Sequence, residues 1–114
     1  MTDCVFCKIV AGEIPAKVVF EDAAVVAFED LNPQAPEHVL VIPKKHIATL
    51  NDLGEADAPV IGQMTRVAAQ IARDRGFAEN GYRTVMNCND HGGQTVYHIH
   101  MHVLAGRALS WPPG

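Results

Sequence analysis

Long apolar runs are missing from this sequence. No stretch reaches the 18 or more residues of a membrane-spanning helix, and the amino end lacks the charged-then-apolar pattern of a signal peptide. The expectation is a protein without a membrane partner, working in the cytoplasm. Dense basic tracts are missing too: 9 Lys and Arg stand against 13 Asp and Glu, a formal charge of −4. Nothing therefore neutralises a nucleic-acid backbone, although a small anionic ligand remains compatible with that balance. Cysteine is scarce and odd in number, and 3 residues without a secretory signal do not describe a disulfide framework. They are expected to be reduced or bound to metal. Repeats, low-complexity tracts and linkers are absent, and 114 residues with 48% hydrophobic content fit one domain over residues 1–114.

Histidine is what the chain concentrates. Of 6 histidines, three alternate with apolar residues in Tyr97-His98-Ile99-His100-Met101-His102-Val103-Leu104. A strand over 97–104 would put His98, His100 and His102 on one face and Ile99, Met101 and Val103 on the other. At about 3.3 Å of rise per residue, the three rings fall within roughly 13 Å, close enough to serve one small ligand. Imidazole can be a metal ligand, a general base or a nucleophile, and period two alone does not choose among these. The approach to the strand favours phosphorus chemistry. Gly92-Gly93-Gln94-Thr95 enters it directly, glycines let backbone N–H groups converge on an anion, and Gln94 and Thr95 could add side-chain donors.

Around this stretch, the pattern predicts an α+β domain on an antiparallel sheet. Residues 4–12 form a short helix carrying the C-x-x-C pair Cys4 and Cys7, a zinc half-site, a redox couple or two buried thiols. Valine-rich segments 16–20 and 23–28 form a hairpin about Glu21-Asp22, and 29–36 is turn chemistry with two prolines and Asp30 as its candidate functional residue. A central strand spans 38–43, flanked by His38 and His46. The strongest helical period lies over 57–75, with Asp57 as amino cap, Pro59 in the first turn and Gly76 at the carboxyl end. A strand over 82–87 and a loop over 88–94 lead to the histidines. The single tryptophan, in Trp111-Pro112-Pro113, docks either on its own core or on a partner subunit.

The histidine motif His98-Ile99-His100-Met101-His102-Val103-Leu104 resembles the histidine triad, and the chain is similar to the Hint branch of histidine triad nucleotide-binding proteins. Five further segments carry the likeness in order: residues 12–17, 33–36, 41–46, 92–94 and 111–114. The resemblance implies a HIT-like fold with a five-stranded, mainly antiparallel sheet, one long and one short helix, and a homodimer whose two sheets join into one of ten strands. It also implies hydrolysis of purine nucleoside 5′-phosphoramidates, derivatives of AMP or GMP joined to an amine, or a related adenylyl hydrolase activity. By position, His100 would be the nucleophile, His102 would contact the phosphate, and His38 would complete a proton-handling network, with His98 the first triad member. Asn87, Gly93, Gln94 and Thr95 would hold the phosphate and leaving group. Asp30 would accept from the ribose hydroxyls, Leu31 and Phe6 would line the base pocket, and Trp111 would reach the neighbouring subunit's site. Some relatives hold structural zinc through a C-x-x-C, a histidine after the central strand and the first triad histidine; here these are Cys4, Cys7, His46 and His98. Two rivals remain: a metal-dependent hydrolase using the triad as ligands, and a non-catalytic nucleotide-binding or scaffold protein.

Overall fold

Five strands form one sheet in the computed structural model, which describes residues 3–114. Asp22 starts it. Its Oδ1 accepts the N–H groups of Ala24 and Val25, both at 2.8 Å, folding β1 (Val18–Glu21) back along β2 (Val25–Glu29). Then β3 (Glu37–Pro43) pairs with β2, β5 (Met101–Ala105) with β3, and β4 (Arg83–Val85) with β5, giving the order β1-β2-β3-β5-β4. Every pairing is antiparallel, as the α+β expectation requires.

Alternation along the strands sorts the residues between two faces. Val25, Ala27, Val39, Val41, Met101 and Val103 turn to one face, where α2 (Ala58–Asp74) covers them with Met64, Val67, Ala68 and Ile71. Val26, Phe28, Leu40 and Ile42 turn to the other, where α1 (Val5–Val10) contributes Phe6. The helices differ in reach: 17 residues extend about 26 Å, whereas 6 extend about 9 Å. The second face is therefore only partly roofed, and His38 and His102 lie on it.

Several elements differ from the sequence expectation. The histidine stretch is not one strand over 97–104, because β5 begins only at Met101, so His98 and His100 precede it. Position 99 falls opposite Pro43, which has no N–H to extend the ladder, and the Ile99 N–H turns to the Ile47 carbonyl at 2.8 Å. The segment 88–94 is not a plain loop but contains a four-residue helix, α3 (Asn89–Gly92). Asp57 sits at the cap position of α2 without capping it. Its carboxylate instead accepts the Gly54 N–H at 2.9 Å and the Lys45 ammonium at 2.7 Å, both of which hold its pKa low. At the other end Gly76 behaves as expected. With φ at +82°, it lets the Phe77 N–H reach the Ala72 carbonyl at 2.9 Å and closes the helix.

Candidate active site and candidate metal centre

The unroofed part of the sheet is a cleft of about 430 Å³. Phe6, Ile9, Ile14, Phe28 and Leu40 make its apolar end, while Asp30, His38, Thr95, His100 and His102 make its polar end. Phe6 joins the two. Its ring meets Phe28 edge-on at 5.5 Å between centroids and His100 at 5.1 Å, so the apolar wall also supports an imidazole.

Hydrogen bonds decide which nitrogen of each histidine carries the proton, because a neutral imidazole has one donor and one acceptor. The Nδ1 of His100 lies 2.8 Å from the His98 carbonyl, which can only accept; the proton is on Nδ1 and the Nε2 lone pair is bare. No buried side-chain nitrogen or oxygen among the described residues lacks a partner, so this unpartnered Nε2 is open to the cleft that His100 lines. At His38 the logic reverses. The Gln34 N–H donates to Nδ1 at 3.0 Å, so the proton sits on Nε2, which faces His102 Nδ1 at 2.9 Å and Asp30 Oδ2 at 3.3 Å. His102 accepts at Nδ1 and presents an Nε2–H donor toward the cleft. Burial, reinforced by the neighbouring His100 and His38 and opposed by Asp30, lowers the His102 pKa to about 4. Burial also lowers that of His38, against the raising influence of Asp30. Near pH 7 both rings are neutral.

Asp30 is held by the turn that follows β2. Its Oδ1 accepts the Asn32 N–H at 2.8 Å, and its own N–H binds the His38 carbonyl at 3.0 Å. Leu31 beside it is 95% exposed and stands at the cleft mouth.

A second cluster lies behind His100. His98, fully buried, directs Nε2 at the Pro43 carbonyl at 2.8 Å, which leaves its Nδ1 lone pair aimed at Cys4 Sγ (3.4 Å), Cys7 Sγ (3.6 Å) and His46 Nδ1 (3.2 Å). His46 Nδ1 in turn lies 3.2 Å from Cys7 Sγ. The four donor atoms are all within 4.8 Å of one another. Ligands about 2.0–2.3 Å from a tetrahedral zinc stand roughly 3.3–3.8 Å apart, close to the 3.2–3.6 Å found for these contacts, so this S₂N₂ donor set fits that ion. Asp30, His38 and His102 also cluster within that range. There, however, the Gln34 donor forces a proton onto the inward nitrogen of His38, the opposite of what ligation needs. Nor do the three triad rings converge, since His98 faces the cysteines while His100 and His102 face the cleft.

The structure thus brings Phe6, Asp30, Leu31, His38, Thr95, His100 and His102 to one cleft, and Cys4, Cys7, His46 and His98 to another cluster. Asn87, Gly93, Gln94 and Trp111 do not line the cleft of their own chain. The expected anion cradle also differs: the Gly93 N–H binds the Asp90 carbonyl at 3.0 Å and the Gln94 N–H the Asn89 carbonyl at 3.1 Å. The Gln94 amide is likewise engaged, donating to the carbonyls of Ala48 and Val96 and accepting from the Asn89 N–H. It braces the loop that carries Thr95. Trp111 is 81% exposed, on a segment tied to β4 by a 2.9 Å bond from Arg83 to the Ser110 carbonyl. Sequence reasoning missed Ile9, Ile14 and Phe28 as lining residues, although Phe6 and Ile9 sit at helical spacing. It also missed the Gln34 amide, for which a sequence carries no signal because every residue but proline has one.

A family model described as scavenger mRNA decapping enzyme C-term binding matches residues 3–110. A purine nucleoside phosphoramidase of Escherichia coli is 51% identical over 107 residues, covering 94% of this chain and 90% of that protein. A HIT family hydrolase from Legionella pneumophila superimposes with a TM-score of 0.96 at 54% identity, covering 98% of this chain and all of that one. The chain belongs to the histidine triad family. Another member, a histidine triad protein from Clostridium difficile, matches with a TM-score of 0.93 at 46% identity over 96% of both chains. The likeness spans nearly the whole fold. Among the described residues no helix is long and apolar enough to cross a membrane.

Proposed function

We propose that this histidine triad protein hydrolyses purine nucleoside 5′-phosphoramidates in two displacements at phosphorus, through a nucleotidyl intermediate on His100. The observation that carries the proposal is the bond from His100 Nδ1–H to the His98 carbonyl, which leaves Nε2 as a bare nucleophile on the cleft. Nε2 attacks the α-phosphorus and the phosphorus–nitrogen bond breaks. Water then attacks the same phosphorus, releasing the nucleoside monophosphate and the free ring. The leaving amine needs a proton that the neutral resting site does not hold. A phosphoryl anion beside His102 favours the charged imidazole, so the His38–His102 pair takes up a proton with the substrate, passes it to the leaving nitrogen and recovers it from the attacking water.

The purine lies between Phe6, Ile9 and Phe28, with the ribose hydroxyls donating to Asp30 and the His102 Nε2–H and Thr95 hydroxyl meeting the phosphoryl oxygens. Neutral donors suffice for one phosphorus centre with a single negative charge; a triphosphate would ask for an arginine or lysine clamp. Cys4, Cys7, His46 and His98 hold a structural zinc, whose role is to tie α1 to the segment before β5. The protein works as a homodimer with sheets joined edge to edge, and Trp111, exposed beside the edge strand β4, reaches the partner's cleft.

Intact-protein mass spectrometry after brief mixing with adenosine 5′-phosphoramidate tests this. A transient adenylyl adduct in the wild type and its loss in His100→Ala are expected. Product without adduct, abolished by a chelator that leaves the fold intact, would instead make the protein a metal-dependent hydrolase. Neither adduct nor product would leave a nucleotide-binding protein.

A further inference from the structure

We propose that the backbone N–H of Gln34 sets the proton arrangement of the His38–His102 pair, which makes position 34 a positioning residue for the reaction at His100. The catalytic half of this statement rests on the phosphoramidase function proposed above; the structural half does not.

Three facts support it. The Gln34 N–H is a donor that cannot become an acceptor, and it meets His38 Nδ1 at 3.0 Å. His38 is therefore locked with its single proton on Nε2, 2.9 Å from His102 Nδ1. That contact makes His102 an acceptor inward and a donor outward, toward the cleft. Inverting His38 inverts the whole pair: Nδ1–H on His38 would face the Gln34 N–H, His102 would donate inward, and a lone pair would face the phosphoryl oxygens. Asp30, at 3.3 Å from His38 Nε2, favours the same arrangement, but over a longer contact than the amide.

The amide is itself held from several sides. Pro33 and Pro36 restrict the turn, the Gln34 side chain donates to the Asn32 carbonyl at 3.0 Å, and Arg107 grips the Gln34 carbonyl at 3.1 Å. Arg107 can approach because Gly106 precedes it: a Cβ there would stand 2.7 Å from Pro36 Cβ. The exit of β5, which carries His102, thus braces the peptide that orients the partner of His102.

The decisive variant replaces Gln34 by its α-hydroxy acid, exchanging the N–H for oxygen and keeping the side chain; Gln34→Pro removes the same donor genetically, and Gln34→Ala retains it. Long-range proton–nitrogen spectra of the histidine rings read the result directly. In the wild type His38 is expected with bare Nδ1 and protonated Nε2. The hydroxy acid should shift protons onto Nδ1 and lower kcat for adenosine 5′-phosphoramidate roughly fivefold to tenfold with KM little changed, the size of one lost neutral hydrogen bond. Gln34→Ala keeps the N–H and loses only the side-chain bond to the Asn32 carbonyl, so the His38 proton should stay on Nε2. A wild-type His38 protonated on Nδ1 would overturn the proposal whether or not any variant folds. So would a hydroxy-acid protein with unaltered ring protonation and kcat, or a Gln34→Ala protein whose His38 carries its proton on Nδ1. Ring spectra as expected, together with no nucleotidyl adduct in the wild type, would sink the phosphoramidase function and leave the lock standing.

Discussion

Two histidine clusters share this small domain, and opposite second contacts give them opposite chemistry. At His98 the outer nitrogen faces a carbonyl, so the proton is drawn outward and a lone pair points at two thiols and another imidazole. At His38 the outer nitrogen faces an N–H, so the proton is driven inward onto the contact with His102 and Asp30. The first arrangement suits a metal ion and the second a proton relay. The identity of the residue decides neither. His100 belongs with the first in its bond to a carbonyl, yet its bare nitrogen looks into the cleft and not at the cysteines. The proposed ligand and the proposed nucleophile thus share one device, and what stands opposite the lone pair separates them.

Breaking each cluster should cost a different quantity. Largest is His100→Ala, which removes the proposed nucleophile: kcat is expected to fall by at least about 10³-fold and the adduct to vanish, with thermal stability little changed, as measured by steady-state kinetics and calorimetry. Next, Cys4→Ser with Cys7→Ser should abolish zinc binding and destabilise the fold. With free zinc about 100-fold above its dissociation constant, the loss is about 2.7 kcal/mol, or roughly 10 °C in Tm, and zinc added to the variant should restore none of it. An unchanged Tm would mean that the cluster is not a structural metal centre.

Gly106→Ala should cost about 2 kcal/mol in urea unfolding, since alanine there must adopt φ of +93° and press on Pro36. If the brace on Gln34 matters, kcat falls further than stability alone explains. Last is a pH effect. His102, with its pKa lowered to about 4 by burial and by His100 and His38, and His38, lowered in the same direction, bind fewer protons folded than unfolded. Stability is therefore full above the unfolded value of 6.5 and declines as pH falls toward 4, by up to about 1.4 kcal/mol per pH unit for each such ring. His102→Asn should flatten that decline; an equally steep curve would place its source elsewhere.

Much of this was legible in the residue order. The valine-rich strands, the long helix ending at Gly76 and the pairing of Cys4 and Cys7 with His46 and His98 follow from periodicity, turn chemistry and resemblance, and the fold places them as expected. That the expected anion cradle does not form was not legible. Glycines at 92 and 93 permit converging N–H groups, but α3 forms and uses those of Gly93 and Gln94 itself. The late start of the histidine strand at Met101 was not legible either, because it depends on Pro43, more than fifty residues away.

By itself the sequence determined which residues could do chemistry and which faces they would share, because side-chain type and alternation are local properties of a chain. Only the tertiary structure decided which imidazole nitrogen bears a proton. That choice belongs to carbonyls and amides supplied by distant segments, Pro43 for His98 and the Gln34 turn, pinned by Arg107, for His38. Backbone groups are the same at nearly every position, so a sequence cannot announce them; only the fold can aim them.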